Sequence, residues 1–253
     1  MRISISGSRP GAFAAALAAL AWCSAGYAAP DPSSAQALTE RYKQAIASPV
    51  RTDADRAEDA RRKPLEFLQF TAVAPGMRVL DVSAGDGYTT QLLALAMGSS
   101  GSVWAQSPKA RPGLVERLKL RPQENIMVTE KPFEDPAPAD APPFDLITLV
   151  YNYHDIAYLP VDRARMNKRL FAALKKGGHL VLLDHAARAN SGTRDSKTLH
   201  RIDEELVVLE LERAGFKLEQ TSALFRNPKD PRDQLIFDMT MPVDNFALRF
   251  VKP

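Results

Sequence analysis

The sequence predicts an α/β domain built on a mainly parallel sheet with helices on both faces. Short apolar runs alternate with amphipathic segments along the centre of the chain, which is the pattern of strand and crossover helix. Glycine-, proline- or cation-bearing turns separate them. Two closing segments, Lys217–Leu224 and Phe246–Val251, read as an antiparallel pair that ends the sheet.

The elements follow in order. Ser34–Ile46 has helical spacing, with Leu38, Tyr42 and Ile46 on one face. Arg51–Lys63 is densely charged with alternating sign, which predicts a solvated helix face, and Pro64 ends it. Leu65, Phe67, Leu68 and Phe70 make a short apolar helix. Strands are expected at Met77–Val82, Ser102–Gln106, Asn125–Thr129, Phe144–Val150 and His179–Asp184. Phe144–Val150 is apolar enough to be buried on both faces. Helices are expected at Tyr88–Met97, Gly113–Leu120, Val161–Leu174 and Thr198–Ala214. Lys175, Lys176, Gly177 and Gly178 stop the third of these, and Gly215 the fourth. Lys131–Pro143 is a proline-rich acidic loop. With the closing pair the sheet has seven strands.

The start of the chain has the order of an export signal. Arg2 and Arg9 precede an apolar run, Ala12–Trp22, shorter than the about 20 residues a spanning helix needs. Small residues then lead to Ala28, the expected cleavage point, so residues 1–28 read as a signal peptide and the mature protein as periplasmic or secreted. Cleavage removes Cys23, the only cysteine, and with it any disulfide or thiolate metal site. Loss of Arg2 and Arg9 takes the formal charge from +3 to near +1, which gives no case for nucleic acid. Residues 29–64 read as a helical extension and 65–253 as the main domain.

In open α/β sheets the ligand crevice lies at the carboxyl ends of the strands, where strand order reverses. The first strand runs there into Asp81-Val82-Ser83-Ala84-Gly85-Asp86-Gly87. Gly85 and Gly87 let backbone N–H groups approach a ligand closely. Asp81 and Asp86 repel a pyrophosphate and suit an ammonium group, and a third glycine is missing, so a dinucleotide oxidoreductase is disfavoured.

This loop resembles the first motif, D-x-G-x-G-x-G, of the class I S-adenosylmethionine-dependent methyltransferases. The strand entry Phe144-Asp145, the run Leu174-Lys175-Lys176-Gly177-Gly178 and the terminal strand pair are similar to that family. Asn152-Tyr153-His154-Asp155, Asp184-His185 and Leu199-His200-Arg201-Ile202-Asp203 resemble a group of exported bacterial methyltransferases of unassigned substrate. The resemblance implies a Rossmann-like fold, and S-adenosyl-L-methionine as cofactor. It implies that Asp81 and the Ser83, Ala84, Gly85, Asp86 and Gly87 backbone meet the amino-acid part. Gln106 or Ser107 stands where an acid usually takes the ribose hydroxyls. Phe133 and Glu134 are candidates for the adenine side, and Tyr151 and Asn152 for the methionine side. Ser83 in place of the first glycine and the neutral position after the second strand depart from the pattern.

Methyl transfer is an in-line displacement, so the enzyme positions two reactants and removes a proton where the acceptor needs it. His154 is the first candidate base, Asp155 its partner or a substrate contact, and His185 a further candidate. Asp184, His200 and Asp203 could converge on the same crevice, with Ala186–Lys197 as a lid. The histidine spacing matches no zinc signature, so no metal is expected. No nucleophile elbow or phosphate-binding P-loop is present. The function expected is methylation of an unidentified small molecule. Adenosylmethionine is made in the cytoplasm, which sets it against export and leaves an alternative open: a non-catalytic periplasmic small-molecule binding module on the same fold.

Overall fold

The computed structural model describes Met1 and residues 32–253. The expected signal peptide, apart from Met1, lies outside the described residues. Three helices lead: α1 (Pro32–Ala47), α2 (Asp53–Arg62) and α3 (Pro64–Thr71). Then come β1 (Arg78–Val82), α4 (Tyr88–Met97), β2 (Ser102–Ser107), α5 (Pro112–Leu120), β3 (Ile126–Glu130), β4 (Phe144–Val150), α6 (Tyr153–Tyr158) and α7 (Arg163–Ala173). The chain closes with β5 (Leu174–His185), α8 (Glu204–Arg213), β6 (Lys217–Ser222), a single 3₁₀ turn at Ile236–Asp238, and β7 (Asn245–Val251).

The seven strands form one sheet in the order β3-β2-β1-β4-β5-β7-β6. β1 pairs in parallel with β2 and β4, so strand order reverses between them. β7 runs antiparallel to both β5 and β6. Alternating strand residues feed two buried layers. Val79, Leu146, Val181 and Leu183 face the layer that holds Tyr42, Phe67 and Leu92. Leu80, Ile147, Leu180 and Leu182 face the layer that holds Met166, Leu170 and Val207. This is the two-faced burial that continuous apolar strands require. Among the described residues no helix is long and apolar enough to cross a membrane.

Local chemistry sets the element ends. Thr52 and Asp55 form a capping box at the start of α2, each side chain accepting from the other's backbone N–H. Lys63 closes α2 in the left-handed region, and Pro64 starts α3 at once. Gly87 caps α4 with φ 86°, and a Cβ there would lie 2.7 Å from Leu114 Cδ1.

Two expectations are corrected. Lys175–Gly178 belong to β5 rather than to a helix stop, and the Gly177 N–H bonds Lys252 O at 2.8 Å. The helix expected from Thr198 begins only at Glu204, capped by Asp203. The cause is Arg201, which is fully buried. Its guanidinium pairs with Asp230 at 2.8 Å and donates to Ala186 O and Gln234 O. Those bonds and the Ala186–Ile202 bridge hold residues 198–203 as a strained turn, with His200 at φ 53°. The expected lid at 186–197 is tied down by the same turn: Ala187 N–H bonds Ile202 O, and Gly192 exchanges bonds with Asp203.

Removing one partner of a buried ion pair strands the other's charge. Arg201→Ala is expected to lose about 3–5 kcal/mol of unfolding free energy, measured by urea titration. A loss below about 1 kcal/mol would mean that the pair does not organise this turn.

Candidate active site

The glycine loop is fixed from both sides. Asp81 is buried, and its two oxygens accept from Thr90 Oγ1 of α4 at 2.6 Å and Thr148 Oγ1 of β4 at 2.8 Å. Burial pushes its pKa up to about 6, against the two hydroxyl donors. On the other side Gln106 Oε1 accepts the Ser83 N–H at 3.1 Å, and Gln106 O accepts the Ala84 N–H at 2.9 Å. Ser83 and Gly85 take left-handed φ values of 58° and 56°. No atom lies within 4 Å of where a Gly85 Cβ would stand, so the loop faces open space.

The space is a notch of about 290 Å³. Asp81, Ser83, Ala84, Gly85, Asp86 and Asn152 line it from the sheet side, and Asp55, Glu58 and Arg62 from α2. Helix α2 therefore roofs the notch with its inner face and gives its outer face to solvent. Asp55 is buried and pairs with Arg117 at 2.7 and 2.8 Å. Burial alone would raise its pKa, but the bonds from Arg117 and Thr52 prevail and hold it at about 2. Buried Arg51 bonds Asp59 at 2.9 Å, and Tyr88 O–H donates to the same carboxylate at 2.6 Å.

Arg62 hangs from this roof. Its guanidinium carbon lies 4.6 Å from the ring centre of Tyr88 and 5.6 Å from that of Tyr151. Arg62 Nε is buried 3.5 Å from Glu58 Oε2, an ion pair within α2, and Tyr151 OH is buried with no hydrogen-bond partner. Tyr151 also sits at φ 57°, an uncommon conformation for a bulky residue, and burial pushes its phenol up to about 12. An unbonded buried phenol and a left-handed backbone thus coincide at Tyr151.

Beyond Tyr151 stand the histidines. His185 stacks on Tyr151 with ring centres 4.6 Å apart, and its Nδ1 lies 2.6 Å from Asn245 Oδ1. An amide oxygen only accepts, so Nδ1 is the donor and Nε2 keeps its lone pair. Burial lowers the His185 pKa to about 4, so the ring is neutral. His185 lines a second cavity of about 490 Å³, walled by Phe225, Ile236, Met239, Met241 and Val243 and edged by Arg61 and Lys63.

His154 has different surroundings. Its Nδ1 lies 2.6 Å from Asp184 Oδ1, and its Nε2 lies 3.1 Å from Asp155 Oδ1 and 3.3 Å from His200 Nδ1. Burial would lower its pKa, but Asp184 and Asp155 outweigh it and raise it to about 10. A ring that already holds its proton cannot take another. Of the two expected bases, His185 is the neutral ring.

Other expected residues are placed as follows. Gln106 is buried, and both ends of its amide are engaged, Nε2 donating to Lys131 O at 2.6 Å. It shapes the loop instead of waiting for ribose hydroxyls. Ser107 is buried beside it. The Asp86 carboxylate lies at the rim, against Gly113 in the first turn of α5. Phe133 packs on the core layer that contains Phe144, and Glu134 is half-buried in the following turn. Neither lines the notch. Asn152 Nδ2 donates to Val150 O. Arg62, Arg61, Asp55 and Arg117 are the site residues that sequence reasoning missed. Asp55, Asp59 and Arg62 follow one another at helical spacing, with Arg51 a turn ahead, and that single charged stripe was the available signal.

The methyltransferase-domain family matches residues 52–221. Among curated proteins, the ubiquinone/menaquinone biosynthesis C-methyltransferase UbiE of Burkholderia multivorans is 27% identical over 118 residues, 44% of each chain. The demethylmenaquinone methyltransferase of Lysinibacillus sphaericus is 28% identical over 130 residues, 51% of this chain and 53% of its own. The chain thus spans about half the length of the curated relatives it matches. A SAM-dependent methyltransferase from Aquifex aeolicus superposes with a TM-score of 0.60 at 18% identity, covering 85% of this chain and 98% of its own. TrmN from Thermus thermophilus superposes at 0.50 and 18% identity, covering 85% of this chain and 53% of its own. By the family match over most of its length, and by the fold it shares with these enzymes, the chain belongs to the class I S-adenosylmethionine-dependent methyltransferases.

Proposed function

We propose that this methyltransferase acts on a small molecule with an apolar body and a hydroxylated ring, held in the cavity beside His185. One observation carries the reading. Arg62, which lines the notch, lies over Tyr151, and Tyr151 stacks on His185, which lines the apolar cavity. Cofactor and acceptor would then occupy adjoining spaces. The names of the curated relatives, which refer to quinones, support a ring acceptor.

The residues present fit the cofactor. Asp81 would hold its ammonium group, since a buried carboxylate with spare lone pairs favours a cation. Arg62, whose Nε lies 3.5 Å from Glu58, would hold its carboxylate, and the Ser83–Gly87 backbone its chain. When bound, adenosylmethionine supplies a methyl group on a sulfonium ready for displacement. The protein's part is to align the acceptor and exclude water from beneath α2. His185 Nε2 takes the proton that the acceptor hydroxyl loses. Turnover on hydroxylated aromatics with apolar side chains, followed by release of adenosylhomocysteine, tests the acceptor class. The same assay with short RNA substrates decides against it if RNA alone is methylated.

Three outcomes are expected. Protonated Asp81 carries no charge, so affinity for adenosylhomocysteine should rise with pH through about 6 and level off above it. Asp81→Asn should flatten that profile at weak binding, read by calorimetry. The sign for stability is opposite. The folded pKa lies above the ordinary carboxylate value, so Asp81 stabilises the fold fully below about pH 4, and this is lost as pH rises through about 6.

Arg62→Lys keeps charge but loses the planar fork and the stacking, so it should weaken adenosylhomocysteine binding by about tenfold, and Arg62→Ala by more. Equal affinity in all three proteins would remove Arg62 from the site.

His185→Ala should lower kcat by about 10²–10⁴ with cofactor affinity unchanged. A fall in affinity with kcat intact would make His185 a packing residue under Tyr151.

A further inference from the structure

We propose that His154, Asp155 and His200 form a binding site for one divalent transition cation of the zinc class. Three ligand-type atoms converge there. His154 Nε2 lies 3.3 Å from His200 Nδ1 and 3.1 Å from Asp155 Oδ1, and the last two atoms are 3.0 Å apart. A cation with bonds of about 2.0–2.1 Å keeps neighbouring ligands roughly 3 Å apart. The triangle is therefore already at ligand–ligand spacing.

The surroundings aim these atoms. Asp184 is buried and accepts from His154 Nδ1 at 2.6 Å, which turns Nε2 into the triangle, where a cation would take the place of its proton. Asp184 is itself fixed by the backbone N–H groups of His154 and His185. A carboxylate behind a histidine is the arrangement that orients metal-binding imidazoles. The turn pinned by Arg201 presents His200 at φ 53°, with its ring against Phe237 at 5.1 Å. The sequence hides the site because His200 lies 45 residues after Asp155 and reaches it only through that turn.

The donor set selects the ion. Two imidazoles and one carboxylate suit zinc, cobalt, nickel or iron in the divalent state, whereas magnesium and calcium prefer all-oxygen shells. Asp155 and His200 keep 34% and 24% of their side chains exposed, so water or a ligand can complete the shell. The His154 ring is 5.5 Å from that of His185, which puts the cation beside the proposed acceptor cavity. A role in orienting an acceptor oxygen would rest on that functional reading. Binding of the cation does not.

The test uses the full chain, stripped with chelator and titrated with zinc, cobalt or magnesium chloride alone, without cofactor or acceptor. One equivalent of zinc should bind by calorimetry, cobalt should give visible d–d bands, and magnesium should give no heat. Asp155→Asn, nearly isosteric, and His200→Ala should each weaken zinc binding by about 100-fold or more, with far-ultraviolet circular dichroism confirming the fold. If His200→Ala does not fold, Asp155→Asn decides. His179→Ala, at the histidine paired with Glu219 elsewhere, should bind as wild type. Absence of zinc binding by the wild type overturns the proposal, as does zinc affinity that survives both site variants or disappears with His179.

Discussion

A carboxylate out of reach of water stands where this sheet changes direction. Asp81 touches three elements at once: it ends β1, takes a hydroxyl from α4 and takes another from β4. Two neutral donors do not repay the loss of water around a charge, and the raised pKa records the deficit. The site is thereby biased toward a cation. It also has little freedom to move, because Gln106 grips the opposite side of the same loop. That grip explains why an amide can replace an acid after β2. The side chain shapes the cradle, and its capacity for ribose is used up doing so.

The roof follows a different rule. Two carboxylates on its inner face, Asp55 and Asp59, are met by partners outside the helix. Arg117 of α5 meets Asp55 with two bonds, while Arg51 and Tyr88 meet Asp59. These pairs anchor α2 at two points, and Arg62 extends beyond them, beside Glu58 of the same helix. Isolated surface pairs contribute little, but a paired charge under cover resists separation, because removing either partner strands the other. The roof is thus specific in position, although its sequence is as polar as a solvated helix.

Much of the sheet was legible because buried parallel strands are nearly uninterrupted apolar runs, and Phe144–Val150 is the clearest of them. The loop was legible because Asp81, Gly85 and Gly87 are required by geometry that few other residues satisfy. Alternating sign alone does not show which face of α2 turns inward. Asp55, Asp59 and Arg62 share one side, and exposed Asp53 and Arg56 the other. The 198–203 segment was misread as helical. Leu199, Ile202 and Leu206 keep a helical period, but a buried bond from Arg201 to Asp230, 29 residues on, outweighs local propensity.

The histidines show why site chemistry needed the fold. His185 ends β5, and His154 lies in α6 just beyond the neighbouring parallel strand β4, so the two rings share one end of the sheet. Their Nδ1 partners separate them. Asp184 carries charge and stabilises an imidazolium or a metal-bound imidazole, whereas Asn245 offers only an amide oxygen and orients a neutral ring. Burial disfavours charge at both, and only the carboxylates around His154 overcome it. The cation held at His154 in turn opposes a second one at His185, so each ring helps fix the state of the other. Asn245 begins β7, 60 residues after the ring it sets, and reaches it because β7 runs antiparallel beside β5. The closing strand pair, which completes the sheet, also sets which nitrogen of His185 carries its hydrogen.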